Sequence, residues 1–124
     1  MTELHQQLAE LLMLIWAGIG SAYKSRYRAT IWQQFEDQIR SAAYTSSLTK
    51  FVSSLCLKLD AQIGTRAEHR ARADELLRQL PERQSLKLLR EETTLLVLIV
   101  RVAQQERREA WLAQQGEDDE TAAI

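Results

Sequence analysis

The stretch Leu4-His5-Gln6-Gln7-Leu8-Ala9-Glu10-Leu11-Leu12-Met13-Leu14-Ile15-Trp16-Ala17-Gly18-Ile19 decides the fold class. Leu4, Leu8, Leu11, Leu12, Ile15 and Ile19 recur at three- and four-residue steps, so an α-helix places them on one face. Met13, Leu14 and Trp16 widen that face, which predicts a helix buried over much of its circumference. Thr2 stands at the N-cap position, and Glu3 puts an anion in the first turn, where the helix dipole favours it. Gly18 and Gly20 weaken the other end. The uncharged run from Leu11 to Tyr23 falls short of the roughly 20 residues a membrane span needs, so it reads as core helix.

Few breakers interrupt the same pattern downstream. The 124 residues hold one proline, four glycines, one cysteine and two histidines. A second helix is predicted over Ser25–Ala43, with Tyr23, Tyr27, Ile31, Phe35 and Ile39 as a ridge at four-residue spacing and Trp32 beside it. Tyr44-Thr45-Ser46 favours a break, because hydroxyl side chains compete for backbone hydrogen bonds. A third helix spans Ser47–Ile63 with the stripe Leu48, Phe51, Val52, Leu55, Leu59 and Ile63, and Gly64 is its expected stop. Thr65-Arg66-Ala67-Glu68 fits a capping box opening a fourth helix, which ends at Leu80 because Pro81 disfavours helical geometry in its predecessor. A fifth helix starts between Pro81 and Leu86 and runs to Gln115, with Gly116 as terminator. Its Leu95–Val100 run is apolar on every side and is expected to be covered all round; β-propensity alone would allow a strand, but the helix-forming flanks decide for helix. The prediction is an all-α, single-domain bundle of about five helices over residues 1–116, followed by a disordered acidic tail over 117–124.

Composition narrows the class further. A hydrophobic fraction of 45% and a charged fraction of 27% are those of a soluble globular chain. Cys56 has no partner for an internal disulfide, which favours a reducing compartment. The N-terminus has no Lys or Arg before Lys24, so no leader is predicted and the cytoplasm is the expected location. The net charge of −1 hides an asymmetry: four of the 17 acidic side chains, Glu117, Asp118, Asp119 and Glu120, lie in the tail, leaving 13 against 16 basic ones in the body.

No catalytic constellation emerges. Gly20-Ser21-Ala22-Tyr23-Lys24-Ser25 falls short of a phosphate-binding loop, which needs glycine directly before the lysine and a strand ahead of it. His5 and His69 lack a second His or Cys at helical spacing, so no metal site is predicted, and both are read as surface residues. Cys56 borders an apolar stripe, where burial raises a thiol's pKa and makes it inert. The pairs Glu36-Asp37, Asp74-Glu75 and Glu91-Glu92 point about 100° apart on a helix and do not converge on one atom. The chain is therefore predicted not to be an enzyme and to need no cofactor. What remains is surface charge. Lys24, Arg26, Arg28, Arg40 and Lys50 form a basic excess against only Glu36 and Asp37 between Ala22 and Lys50, and such an excess can meet phosphates. Tyr23 and Tyr27 interleave with it but belong to the buried ridge, and Lys58 would extend the track.

The order of motifs resembles the helical small subunit of type III, or related, CRISPR effector complexes. The likeness runs over about residues 5–112 and rests on Tyr23-Lys24-Ser25-Arg26, on Gln38-Ile39-Arg40-Ser41 ahead of the apolar Leu48-Thr49-Lys50-Phe51-Val52-Ser53-Ser54-Leu55, and on Leu88-Leu89-Arg90-Glu91-Glu92-Thr93 before a long last helix. The chain departs from the family pattern in lacking a proline before Ile39-Arg40, in carrying Ala42-Ala43 where Asn-Gly is usual, and in having no clear match to the tryptophan-lysine-arginine of the last helix. The resemblance implies a non-catalytic subunit of a multi-protein ribonucleoprotein. Its Lys24, Arg26, Arg28, Arg40 and Lys50 would touch the RNA or single-stranded backbone, and its flanks would meet neighbouring subunits. The alternative is a helical adaptor or self-associating module with no nucleic-acid role; an exposed apolar face on helix one or on Leu95–Val100 would favour it.

Overall fold

The computed structural model describes residues 2–63 and 66–123, with side chains through Gln115. Seven helices form one bundle among the described residues: α1 Glu3–Ala17, α2 Ser21–Arg26, α3 Ile31–Ala42, α4 Leu48–Leu59, α5 Ala67–Gln79, α6 Glu82–Glu91 and α7 Thr93–Ala123. The all-α class is as predicted; the helix count rises because two predicted helices are each broken once. No strand occurs among the described residues, and the one bridge, Ile19 to Ala61, joins two linkers.

The core is the set the periodicity selects. Leu8, Leu11, Leu12 and Ile15 of α1, Phe35 and Ile39 of α3, and Phe51, Leu55 and Leu59 of α4 are fully buried, joined by Leu76, Leu89, Leu96 and Val100 from α5, α6 and α7. α1 packs on α5, α6 and α7, and α3 packs on α4, α6 and α7. Each large aliphatic side chain so removed from water contributes about 1.5–3 kcal/mol.

Local caps set the helix ends. Thr2 accepts from the His5 backbone N–H, and the His5 ring Nδ1 accepts from the Thr2 N–H at 3.2 Å, so a histidine fills the role glutamate has in a capping box. With Nδ1 accepting, Nε2 carries the proton and donates to Glu92 Oε1 at 3.2 Å. His5 is therefore buried at 8% exposure, against the surface position expected for it, and it ties the start of α1 to the α6–α7 junction. Ser47 caps α4 through the Lys50 N–H, and Glu82 Oε1 reaches across from α6 to accept the Leu48 N–H at 3.0 Å.

α4 ends earlier than Ile63. Asp60 takes the left-handed conformation at φ 51°, the Ala61 N–H bonds to the Cys56 carbonyl, and the Asp60 N–H bonds to that of Leu57. This is a Schellman ending, with an aspartate in the place glycine usually holds. The expected stop, Gly64, lies outside the described residues, as does Thr65 of the predicted capping box; the observed N-cap of α5 is Arg66, with no side-chain cap bond.

Two linkers then lock together. The Gly20 N–H donates to the Asp60 carbonyl and the Gln62 N–H to that of Gly18, both at 2.9 Å. A Cβ on Gly18 would run into the Gln62 backbone, so the residue is fixed by close approach.

The breaks have different causes. At Glu92, the buried Thr93 turns its hydroxyl back to the carbonyls of Leu89 and Arg90, competing with the helix ladder. Residues 27–30 hold no strong breaker; the turn there separates α2 from α3 and leaves Trp32 stacked on Trp16. Tyr23 and Tyr27 are consequently half-buried on their own turn and do not continue the Phe35–Ile39 ridge.

α7 passes Gly116, where the sequence predicts a stop, and continues to Ala123. The side chains of the predicted acidic tail lie outside the described residues. At 1.5 Å per residue its 31 residues make a rod of about 46 Å. Beyond Val100 almost every side chain through Gln115 is exposed, so the outer part overhangs the bundle. The expectation that Leu95–Val100 is covered all round is corrected: Leu98 is 54% exposed, because α1 and α3 flank only part of α7's circumference. No helix among the described residues is long and apolar enough to cross a membrane.

Candidate functional site

The five cations singled out from sequence come from α2, the turn after it, α3 and α4. Arg40 is held by acids of its own helix, with Glu36 Oε1 at 3.7 Å and Asp37 Oδ1 at 3.8 Å, and it also donates to Thr94 Oγ1. Lys50 sits on the first turn of α4 beside Ser46, and Lys58 donates to Ser41 at 2.8 Å. Lys24 and Arg26 project from α2, with Arg26 lying 5.4 Å over the Tyr27 ring. Arg28 alone of the five lines a cleft.

That cleft and its neighbour are two open clefts that share residues. One, of about 660 Å³, lies between the Trp16–Trp32 pair and the outer part of α7, and is lined there by Arg101, Gln104, Gln105, Arg108, Glu109 and Leu112. The other, of about 590 Å³, lies between the start of α3 and α7, and includes Arg28, Trp32, Gln33, Glu36, Leu98 and Arg101. Both volumes fall in the range of ligand sites. Trp32 and Arg101 belong to both.

The aromatic floor is a cluster of three rings. The Trp16 and Trp32 rings stack at 3.8 Å between centroids with 5° between planes, and both meet Phe35 edge to face, at 5.1 and 6.2 Å. Offset and edge-to-face contacts of this kind add to what area burial alone contributes. The end of α1 supplies Trp16 and the start of α3 supplies Trp32; the Gly18–Gln62 clasp follows Trp16 by two residues. Above the floor, the Arg101 guanidinium lies 5.8 Å over the Trp32 ring, within cation–π range.

Electrostatically the two clefts present arginine. Arg28, Arg101 and Arg108 have no ion-pair partner among the described residues, whereas Arg40 and Arg72 do. Glu36 and Glu109 are the acids that line the clefts, and Glu36 is already engaged by Arg40. An anion entering either cleft meets two guanidinium groups, Arg101 with Arg108 in one and Arg101 with Arg28 in the other, beside the Trp32 ring.

Of the residues lining these clefts, the sequence singles out Arg28 as a candidate and not Arg101, Arg108 or the tryptophan pair. Arg101 and Arg108 sit in a helix of mixed charge, where the solvated-face reading is natural. The usable signal was Trp32, a large aromatic beside the ridge instead of in it. The other reactive groups stay apart. Burial pushes the Cys56 thiol up from its ordinary pKa, against a smaller opposing backbone hydrogen bond at Ile63. No group of three or more His, Cys, Asp or Glu side chains placed to hold a metal occurs among the described residues. No family model, curated protein or solved structure matches the chain.

Proposed function

We propose that the chain is a non-catalytic helical subunit of a cytoplasmic ribonucleoprotein, of the small-subunit kind that CRISPR effector complexes contain, and that it holds the backbone of an RNA or single strand. The observation that carries this reading is the pair of clefts sharing Trp32 and Arg101, with Arg28 in one and Arg108 in the other, all three arginines lacking ion pairs among the described residues. Guanidinium groups bind phosphate in a forked geometry, and aromatic surfaces tolerate any base. Lys24 and Arg26, exposed on the neighbouring α2, extend the positive field towards Arg28. The motif likeness over residues 5–112 supplies the ribonucleoprotein context.

The test is an anisotropy titration of the full chain with labelled oligouridine. For three phosphate contacts on a single strand, the slope of about −0.7 per phosphate predicts affinity falling about 20-fold between 50 and 200 mM salt. Absence of binding at the lower salt overturns the reading.

The adaptor reading has one observation of its own. Leu98 and Val102, 54% and 45% exposed, lie one turn apart on α7. They give a neighbouring subunit an apolar contact, which is compatible with the first reading and sufficient for the second. A chain that associates through this strip, loses association with Leu98→Glu and binds no RNA belongs to the adaptor class.

A further inference from the structure

Trp32 and Arg101 face each other where the two clefts meet, and their spacing is close to one that admits a third flat group. Two successive stacking contacts at about 3.5–4.0 Å each need about 7–8 Å between the outer planes. The Arg101 guanidinium already stands 5.8 Å from the Trp32 centroid. Its side chain is exposed and has no acid holding it among the described residues, so an outward swing of at least about 1–2 Å costs a rotamer adjustment and the direct contact with the Trp32 ring but no ion pair. Trp32 is fixed from behind by Trp16 and Phe35, so the guanidinium is the side that moves.

The surrounding charge selects what enters. Arg28 and Arg108 stand in the two clefts on either side of the Trp32–Arg101 gap, and they repel a cation such as a methylated lysine. The seven residues from Arg101 to Arg108 advance about 10 Å along α7, which sets Arg108 apart from the Trp32–Arg101 gap along the helix. A planar neutral group flanked by anions satisfies every element of this arrangement, and a nucleotide is that group.

We infer that the gap between Trp32 and Arg101 is a slot for one unpaired nucleobase, with the phosphates on its two sides held by Arg28 and Arg108. The inference rests on the nucleic-acid reading above and adds base stacking to it. A paired base, already stacked in a duplex, does not enter; the slot therefore favours a single strand. A base in a strand and a free nucleotide share this chemistry, and the experiment distinguishes them.

The experiment uses the full chain carrying Trp111→Phe, so that emission comes from Trp16 and Trp32 alone. It is titrated with oligouridine, with an abasic sugar-phosphate oligomer of the same length, with duplex RNA and with AMP, reading anisotropy and tryptophan emission together. The expected result is quenching that saturates with the oligouridine affinity, and binding of the abasic oligomer about tenfold weaker and without quenching. Arg101→Lys keeps the charge and loses the planar lid; it is expected to remove most of the difference between the two oligomers while leaving the salt slope unchanged. Quenching by AMP at the concentrations effective for the strand supports the slot with a free nucleotide as its source. Equal affinity for both oligomers, or binding without quenching, overturns the slot and leaves the phosphate reading standing. Failure to bind any of the probes overturns both.

Discussion

Arg40 and Arg101 are both long cations beside the α3–α7 contact, and they differ in what surrounds them. Arg40 lies between Glu36 and Asp37 of its own helix and reaches Thr94, so its charge is spent within the fold. Arg101 lies over Trp32 with no acid partner among the described residues, so its charge remains for a ligand. Arg72 repeats the first case: Glu10 takes it through two bonds of 2.7 and 2.8 Å, Glu75 adds a third contact at 3.1 Å, and these partners hold its pKa above the ordinary arginine value. Net charge along the sequence does not separate such residues. The difference is whether an acid sits within one helical turn, and whether an aromatic floor lies beneath.

The comparison breaks most severely if its shared floor is lost. Gly18→Ala, two residues after Trp16, drives a methyl into the Gln62 backbone and is expected to cost about 1–3 kcal/mol in urea unfolding. A neutral result shows that the clasp is loose and the floor is set elsewhere. Next in size, Arg28→Ala, Arg101→Ala and Arg108→Ala together are expected to lower oligouridine affinity at least 20-fold at about 50 mM salt, with urea stability within about 0.5 kcal/mol of the parent. Glu36→Gln and Glu109→Gln together sharpen the contrast from the other side. Removing the two carboxylates that line the clefts is expected to raise affinity about threefold, part of it from releasing Arg40. The smallest effects belong to the committed cations. Arg40→Ala is expected to change affinity less than about twofold, and Arg72→Ala to lower Tm slightly with RNA affinity unchanged.

What was legible in the sequence was local. Thr2 is the predicted cap of α1, the third helix begins at Ser47 as expected with that residue as its cap, and the stripes Leu8–Ile15 and Leu48–Leu59 are buried as their spacing requires. These features depend on neighbours within one or two turns. The breaks were less visible. Thr93 turns its buried hydroxyl to the carbonyls of Leu89 and Arg90, and residues 27–30 turn without a strong breaker, with Trp32 then stacked on Trp16. His5 looked like a surface residue because its partner, Glu92, is 87 positions away. The clefts were illegible for the same reason: Trp16, Trp32 and Arg101 come from three helices, and no spacing rule connects them. Arg28 was found as part of a charge cluster, and only the fold separates it from Arg40 and Lys50.

The most direct test compares salt slopes for oligouridine binding in three chains: the parent, the Arg28/Arg101/Arg108 alanine variant, and an Arg40→Ala, Lys50→Ala variant. At about 0.7 per lost phosphate contact, the first variant's slope is predicted to be shallower than the parent's by about 1.4 where Arg101 covers a base and by about 2 where it too meets phosphate, while the second variant keeps the parental slope. A parental slope in the cleft variant, with the loss appearing in the Arg40 and Lys50 variant instead, would contradict the assignment of this cleft as the place where the chain meets phosphate.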